Sequence, residues 1–316
     1  MYFEHIRRAK PDSLVSGFQT DALGYRNPPH LLDSSSKIDV LLVGDSFTWG
    51  TEALTIADYL RENLSPQIIY SVGIPGDGIP QWRYHYQDFV EALPSHQAPE
   101  MVILNFYSGN DLSDTFWFFT VEATQAKNPA IAYFTYYTYR GLLPKATAGI
   151  KMPKLPEFIF LMNSSFQGMN RSNVTHPKED GSTIFSQPFT VDREPYPEEF
   201  TSEIFEQIQL SVETIQTINP NTQIVLSYIP TSAAIYGHLI PRCQVCEEDV
   251  QRQKMNSQIL RTYAATLGIH YVDVTPVLQT AGQTTLLWSI SSHFSPEGYQ
   301  LYASFLAEQI KPLFAK

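Results

Sequence analysis

Three short apolar runs, Ile38–Val43, Ile68–Val72 and Met101–Tyr107, each stop on a polar or glycine-rich turn, and this punctuation constrains the fold more than any other feature. Continuous β-branched runs of this length suit strands buried on both faces. Helical spacing follows the first two, over Ala53–Leu64 and Gln81–Leu93. The rhythm returns after residue 197. A helix is predicted over Glu198–Ile218, where Phe200, Ile204, Ile208, Val212 and Ile215 recur at helical intervals, and the strand Gln223–Ile229 follows it. A helix over Glu247–Leu267, the strand His270–Val274 and a last helix from Pro296 to about Leu313 complete the alternation, with Pro296 suited to a first helical turn. Alternating strands and helices imply a parallel sheet covered by helices on both faces, with ligands bound at the carboxyl ends of the strands. The turns at Asp45-Ser46, Gly73 and Gly109-Asn110 then share one sheet edge.

Between these halves, Leu112–Pro197 is rich in aromatics, Pro, Asn and Ser and shows little periodicity. Long structureless stretches are uncommon in a compact domain unless they serve function. The expectation is a single domain over residues 1–316 with 112–197 as an inserted lid. Hydrophobic residues make up 43% and charged residues 17% of the chain, which therefore has ample material for a core. A formal net charge of −11 repels nucleic-acid backbones and anionic membranes and favours neutral or weakly charged substrates.

Met1–Ser16 carries Arg7, Arg8 and Lys10 with no apolar run behind them, so the sequence as written is expected to be cytoplasmic, without signal or membrane-spanning segment. Removal of a preceding segment would make it extracytoplasmic. Cys243 and Cys246, the two cysteines, have a spacing open to a redox pair, half a zinc site or a local disulfide; a disulfide or two plain thiols is favoured, since no second pair exists. Sequons at Asn163, Asn170 and Asn173 matter only on a eukaryotic secretory route. No motif implies a metal or organic cofactor, and Gly73-x-x-Gly76-x-Gly78 lacks the order of a dinucleotide-binding loop. Oligomeric state is not encoded in any feature of this kind.

Ser46 sits where a strand turns into a helix, with Gly44 permitting a tight turn that exposes a hydroxyl. Most serines at such junctions are helix caps. A serine hydroxyl needs a base, and His293, in the loop ahead of the last helix, is the best placed of the eight histidines. His85, His96, His176 and His238 are expected to be solvated surface residues. Acyl transfer also needs donors at the developing oxyanion, for which the Gly73 N–H and the Asn110 side-chain amide are suited. It is their joint occurrence at successive strand ends that carries weight.

Taken together, Gly44-Asp45-Ser46, Gly73, Gly109-Asn110-Asp111 and His293 resemble the four blocks of the SGNH/GDSL hydrolase family. That resemblance implies a three-layer, flavodoxin-like α/β fold, with Ser46 as nucleophile, His293 as base and then acid, and an oxyanion hole made of the Ser46 N–H, the Gly73 N–H and the Asn110 amide. Asp21-Ala22-Leu23-Gly24-Tyr25-Arg26-Asn27 is further similar to an N-x-L-G-[FY]-R segment of a bacterial, envelope-linked branch, some members of which act on O-acyl groups of polysaccharides. The resemblance does not extend over 112–197.

One position departs from the family pattern. An aspartate usually stands two or three residues before the histidine, where this chain has Ser291 and Ile290. Losing the acid that holds the imidazole costs a serine protease about 10⁴ in kcat. Three readings are open: a dyad oriented by Ser291 or a backbone carbonyl, an acid relocated to Glu297 or Asp273, or a domain that binds without turning over. The expected function is a serine esterase or O-acyltransferase acting on a short acyl ester, acetyl above all, of a carbohydrate or small molecule. The alternative is a degenerate domain that holds a glycan.

Overall fold

The computed structural model describes residues 11–12, 14–15, 17–32, 37–92, 98–112, 114–115, 170–177, 183–191, 200–237, 244–288 and 293–315. Five strands form the central sheet: β1 Val40–Val43, β2 Ile69–Ser71, β3 Met101–Tyr107, β4 Gln223–Ile229 and β5 His270–Asp273. Their spatial order is β2-β1-β3-β4-β5, and every pairing is parallel. This is the flavodoxin-like order, in which the chain reverses direction across the sheet between β1 and β3 and leaves a crevice at their carboxyl ends.

The pleat sorts the core into two layers. Val40, Leu42, Met101, Ile103, Val225 and Ile229 face helices α2 (Ile56–Leu64), α5 (Ser232–Tyr236), α7 (Thr275–Ala281) and α8 (Pro296–Ile310). Leu41, Val43, Val102, Leu104, Phe106, Ile224 and Leu226 face α3 (Ile79–Ala92), α4 (Phe200–Ile218) and α6 (Gln244–Thr266). On α4, Ile204, Ile208, Val212 and Ile215 are all buried, as their spacing predicts, and each contributes about 1.5–3 kcal/mol against exposure. Helix α2 begins three residues later than predicted because Thr55 and Asp58 form a reciprocal capping box, each side chain bonding the other's backbone N–H.

Two short helices, α5 and α7, were not anticipated from periodicity; at five and seven residues they are too brief to show any. Of the expected insertion, residues 112 and 114–115 and a two-stranded antiparallel hairpin, Asn170–Pro177 with Thr183–Val191, lie within the described residues; the hairpin strands pair with each other and not with the central sheet. Cys243, Asn163, His96, His238, Ile290 and Ser291 lie outside the described residues, as do the side chains of Cys246, Asn170, Asn173 and His176. No helix among the described residues is long and apolar enough to cross a membrane.

Candidate active site

Strand β1 ends at Val43, and the chain turns at Gly44-Asp45 into the single-turn helix α1, Ser46–Trp49. The turn is tight because atoms of Thr48, Trp49 and Asn105 occupy the space a side chain would need. A Cβ on Gly44 would lie 2.3 Å from Thr48 Oγ1 and 3.0 Å from Asn105 Cβ; one on Gly73, beyond β2, would lie 2.6 Å from both Thr48 Cβ and Trp49 N. Asp45 caps α1, its Oδ1 accepting from Phe47 N at 2.8 Å. Behind the turn, Asn105 Nδ2 donates to Thr48 Oγ1 at 2.9 Å and Tyr302 on α8 donates to Asn105 Oδ1 at 2.7 Å, so a buried polar relay ties the helix after His293 to the turn carrying Ser46.

His293 is set by the residues around it. Trp288 and Phe294 form an antiparallel bridge, Ser295 N bonds Leu287 O at 2.9 Å, and Ser295 Oγ caps α8 by accepting from Gly298 N. The imidazole lies against the Phe47 ring, with centroids 5.0 Å apart. Its Nε2 stands 2.8 Å from Ser46 Oγ, a hydrogen bond between residues 247 apart in sequence. Ser46 Oγ is also 3.2 Å from Asp45 Oδ2. Both partners are half-buried.

The floor of the site is acidic and buried. Burial raises the Asp45 carboxyl to about 7, a shift reinforced by the charge of Asp114 and opposed by the hydrogen bonds from Phe47 and Ser46. Fully buried Asp111 is pushed well above the ordinary carboxylate range, first by desolvation and then by Asp45. Asn110 Nδ2 donates to Asp114 Oδ2 at 2.7 Å, and the Gly73 N–H has a long contact of 3.5 Å to Ser71 Oγ.

The sequence profile of the GDSL-like lipase/acylhydrolase family matches residues 42–301. The chain belongs to that family. Its five parallel strands with flanking helices are the family's α/β fold, and it is by membership an acylhydrolase-type protein. No curated protein matches it significantly. Among solved structures, a carbohydrate esterase family 2 enzyme plus carbohydrate-binding domain from Corynascus thermopiles (Myceliophthora fergusii) is 12% identical, with a TM-score of 0.44 over 89% of this chain and 67% of that one. A family 3 carbohydrate esterase from Clostridium thermocellum is 14% identical, with a TM-score of 0.41 over 89% and 98% of the two chains. An aryl esterase of M. smegmatis is 15% identical, with a TM-score of 0.41 over 87% and 99%.

Within this GDSL-like frame, Ser46, Gly73, Asn110 and His293 come from β1, β2 and β3 and the loop ahead of α8, and the fold brings Ser46 and His293 into contact. Asp273 Oδ1 accepts from Thr275 N at 2.8 Å and Oδ2 from Ser257 Oγ, so this carboxylate serves the start of α7, while Glu297 is exposed in the first turn of α8. His85 requires correction. Instead of facing solvent it is only 4% exposed, with Nε2 bonded to fully buried Asp77 and Nδ1 3.3 Å from Tyr25 OH. Asp77, in the glycine cluster after β2, sits on the turn before α3, eight residues from His85. Asp45, as an acid adjoining the Ser46 hydroxyl, and Arg26 were also overlooked.

Proposed function

We propose that this GDSL-like protein is a serine esterase or O-acyltransferase, with Ser46 as nucleophile and His293 as general base. The observation that carries the reading is the 2.8 Å bond from His293 Nε2 to Ser46 Oγ, between two half-buried side chains. His293 takes the hydroxyl proton as Ser46 Oγ attacks the ester carbonyl, and the tetrahedral oxyanion lies against the N–H groups of Ser46 and Gly73 and the Asn110 amide. Asn110 must turn from Asp114 to donate there. The protonated imidazole then gives its proton to the leaving alkoxide, and the acyl-enzyme is released to water or to an acceptor hydroxyl, which His293 deprotonates in turn.

The short acyl group and the carbohydrate or small-molecule acceptor rest on the family resemblance and on a net charge that disfavours anionic substrates. The reading takes residues 1–316 as one domain, with 112–197 as the lid that shapes the acceptor site, and Ser291 as the orienter of the imidazole in a dyad. Hydrolysis of p-nitrophenyl acetate and fluorophosphonate labelling, in the wild type, Ser46→Ala and His293→Ala, test it. Turnover and labelling should be lost in both variants. Wild-type protein that neither labels nor turns over in a Ser46-dependent way would leave a glycan-binding domain as the better account.

A further inference from the structure

The segment Asp21–Asn27 has no part in the reaction as written, yet it is among the most tightly bonded stretches of the chain. Asp21 Oδ1 accepts from Leu23 N at 2.9 Å and Tyr25 N at 3.0 Å, and its Oδ2 accepts from Asn27 Nδ2 and from Tyr70 OH on β2. Asn27 bonds both the N–H and the C=O of Ser71, also on β2. Thus anchored, the segment projects Arg26 towards the loop that leaves α1.

The Arg26 guanidinium makes four hydrogen bonds, all to backbone carbonyls: Nη1 to Trp49 O at 3.2 Å and Gly50 O at 2.6 Å, Nη2 to Glu52 O at 2.5 Å and Ala53 O at 3.0 Å. Its other side covers the Phe18 ring, 3.3 Å from the centroid. Helix termini leave carbonyls without partners, and a one-turn helix such as α1 is not stable alone. Gly50 ends it at φ +78°, where a Cβ would approach both Thr55 and Arg26 Nη1. From the opposite side Tyr299 OH accepts from Thr51 N at 3.3 Å, and Tyr299 lies on the helix that follows His293. The loop Trp49–Ala53 is therefore gripped between the N-terminal segment and the histidine's helix.

We propose that Arg26 is a positioning residue for the nucleophile: by fixing four carbonyls of the Trp49–Ala53 loop it holds α1, and with it Ser46 Oγ, within reach of His293. The inference rests on the reading of Ser46 as nucleophile. A planar fork carrying several donors is required, because a lysine ammonium is a single point that cannot span four acceptors. Arg26→Lys keeps the charge and most of the stem and removes the fork.

The test measures Ser46 labelling by a fluorophosphonate, kcat and KM on p-nitrophenyl acetate, and the thermal transition, in the wild type, Arg26→Lys, Arg26→Ala and Ser46→Ala. Displacement of reacting atoms by about 1 Å costs up to about 10² in rate, so labelling and kcat should fall about tenfold or more in Arg26→Lys, with KM within about twofold. If Arg26→Ala does not fold, Arg26→Lys alone decides. A lowered thermal transition with labelling and kcat unchanged per folded molecule, or a loss confined to KM, overturns the proposal and leaves Arg26 as a purely structural residue. Wild-type labelling that persists in Ser46→Ala removes the nucleophile reading and this proposal together; Ser46-dependent labelling that is equal in wild type and Arg26→Lys removes this proposal alone.

Discussion

Replacing Gly73 by alanine should separate the geometry of the site from its chemistry. The substitution keeps the backbone N–H proposed for the oxyanion, and Gly73 does not occupy the left-handed region, so alanine adopts its backbone without strain. What it adds is one methyl carbon 2.6 Å from Thr48 Cβ and Trp49 N and 2.7 Å from Thr48 C. Relaxing those contacts to the 3.4 Å of ordinary packing requires an opening of about 0.8 Å between the end of β2 and α1. Two of these three atoms are backbone of α1, which cannot swing aside as a flexible side chain would. If α1 yields, the 2.8 Å bond from His293 to Ser46 lengthens towards about 3.6 Å, beyond the reach of proton transfer; if Gly73 yields, its N–H leaves the oxyanion position. Either way kcat on p-nitrophenyl acetate should fall about 10²-fold, with an overpacking cost of about 1–3 kcal/mol and a transition lower by several degrees. Gly268→Ala is the control: it sits at φ +66° with open space around it, so it should cost about 1 kcal/mol of stability and leave kcat within about twofold. A Gly73→Ala enzyme with kcat within twofold of wild type would refute the reasoning.

Asp45 binds a proton up to about pH 7 in the folded chain, against about 3.9 for an unfolded carboxylate, so between these values the native state holds the extra proton and stability falls as pH rises. Asp45→Asn cannot ionise; its melting temperature relative to wild type should improve between pH 5 and pH 8, and an equal difference at the two pH values would sink the argument. His85→Leu leaves Asp77 buried without its ring partner and should cost about 3 kcal/mol in urea denaturation; a loss below about 1 kcal/mol would show that the pair is dispensable. Thr55→Ala dissolves the capping box of α2 and should cost about 1 kcal/mol with kcat unchanged, as equilibrium unfolding beside a rate assay would report.

Elements were legible in the sequence where apolar residues dominate a whole segment, as in the strands interrupted by little more than Asn105 or Ser227. Met101–Tyr107 and Gln223–Ile229 match their predicted bounds because central parallel strands are buried on both faces and leave no polar alternation to blur their ends. Ser46 and His293, which the fold brings into contact, stood out because each lies at a junction of strand or loop with helix. What escaped was decided by partners far away or without a side chain. His85 looked like a surface histidine because Asp77 and Tyr25 approach it only in the folded chain. Arg26 bonds carbonyls, which every residue carries, so no residue type in the sequence advertises its targets.

Ser46 and His293 meet across 247 residues of chain, and every strand after β1 lies between them. A ribosome making this protein exposes Ser46 early and His293 only after the other four strands of the central sheet have emerged, so the serine spends most of synthesis without the imidazole it meets in the folded chain. Closing so long a loop costs little more entropy than closing half of it, since the cost grows only with the logarithm of length. The delay therefore falls on time rather than on stability. Fluorophosphonate labelling of a nascent or refolding chain would accordingly act as a clock for completion of the sheet, silent until the last helix docks.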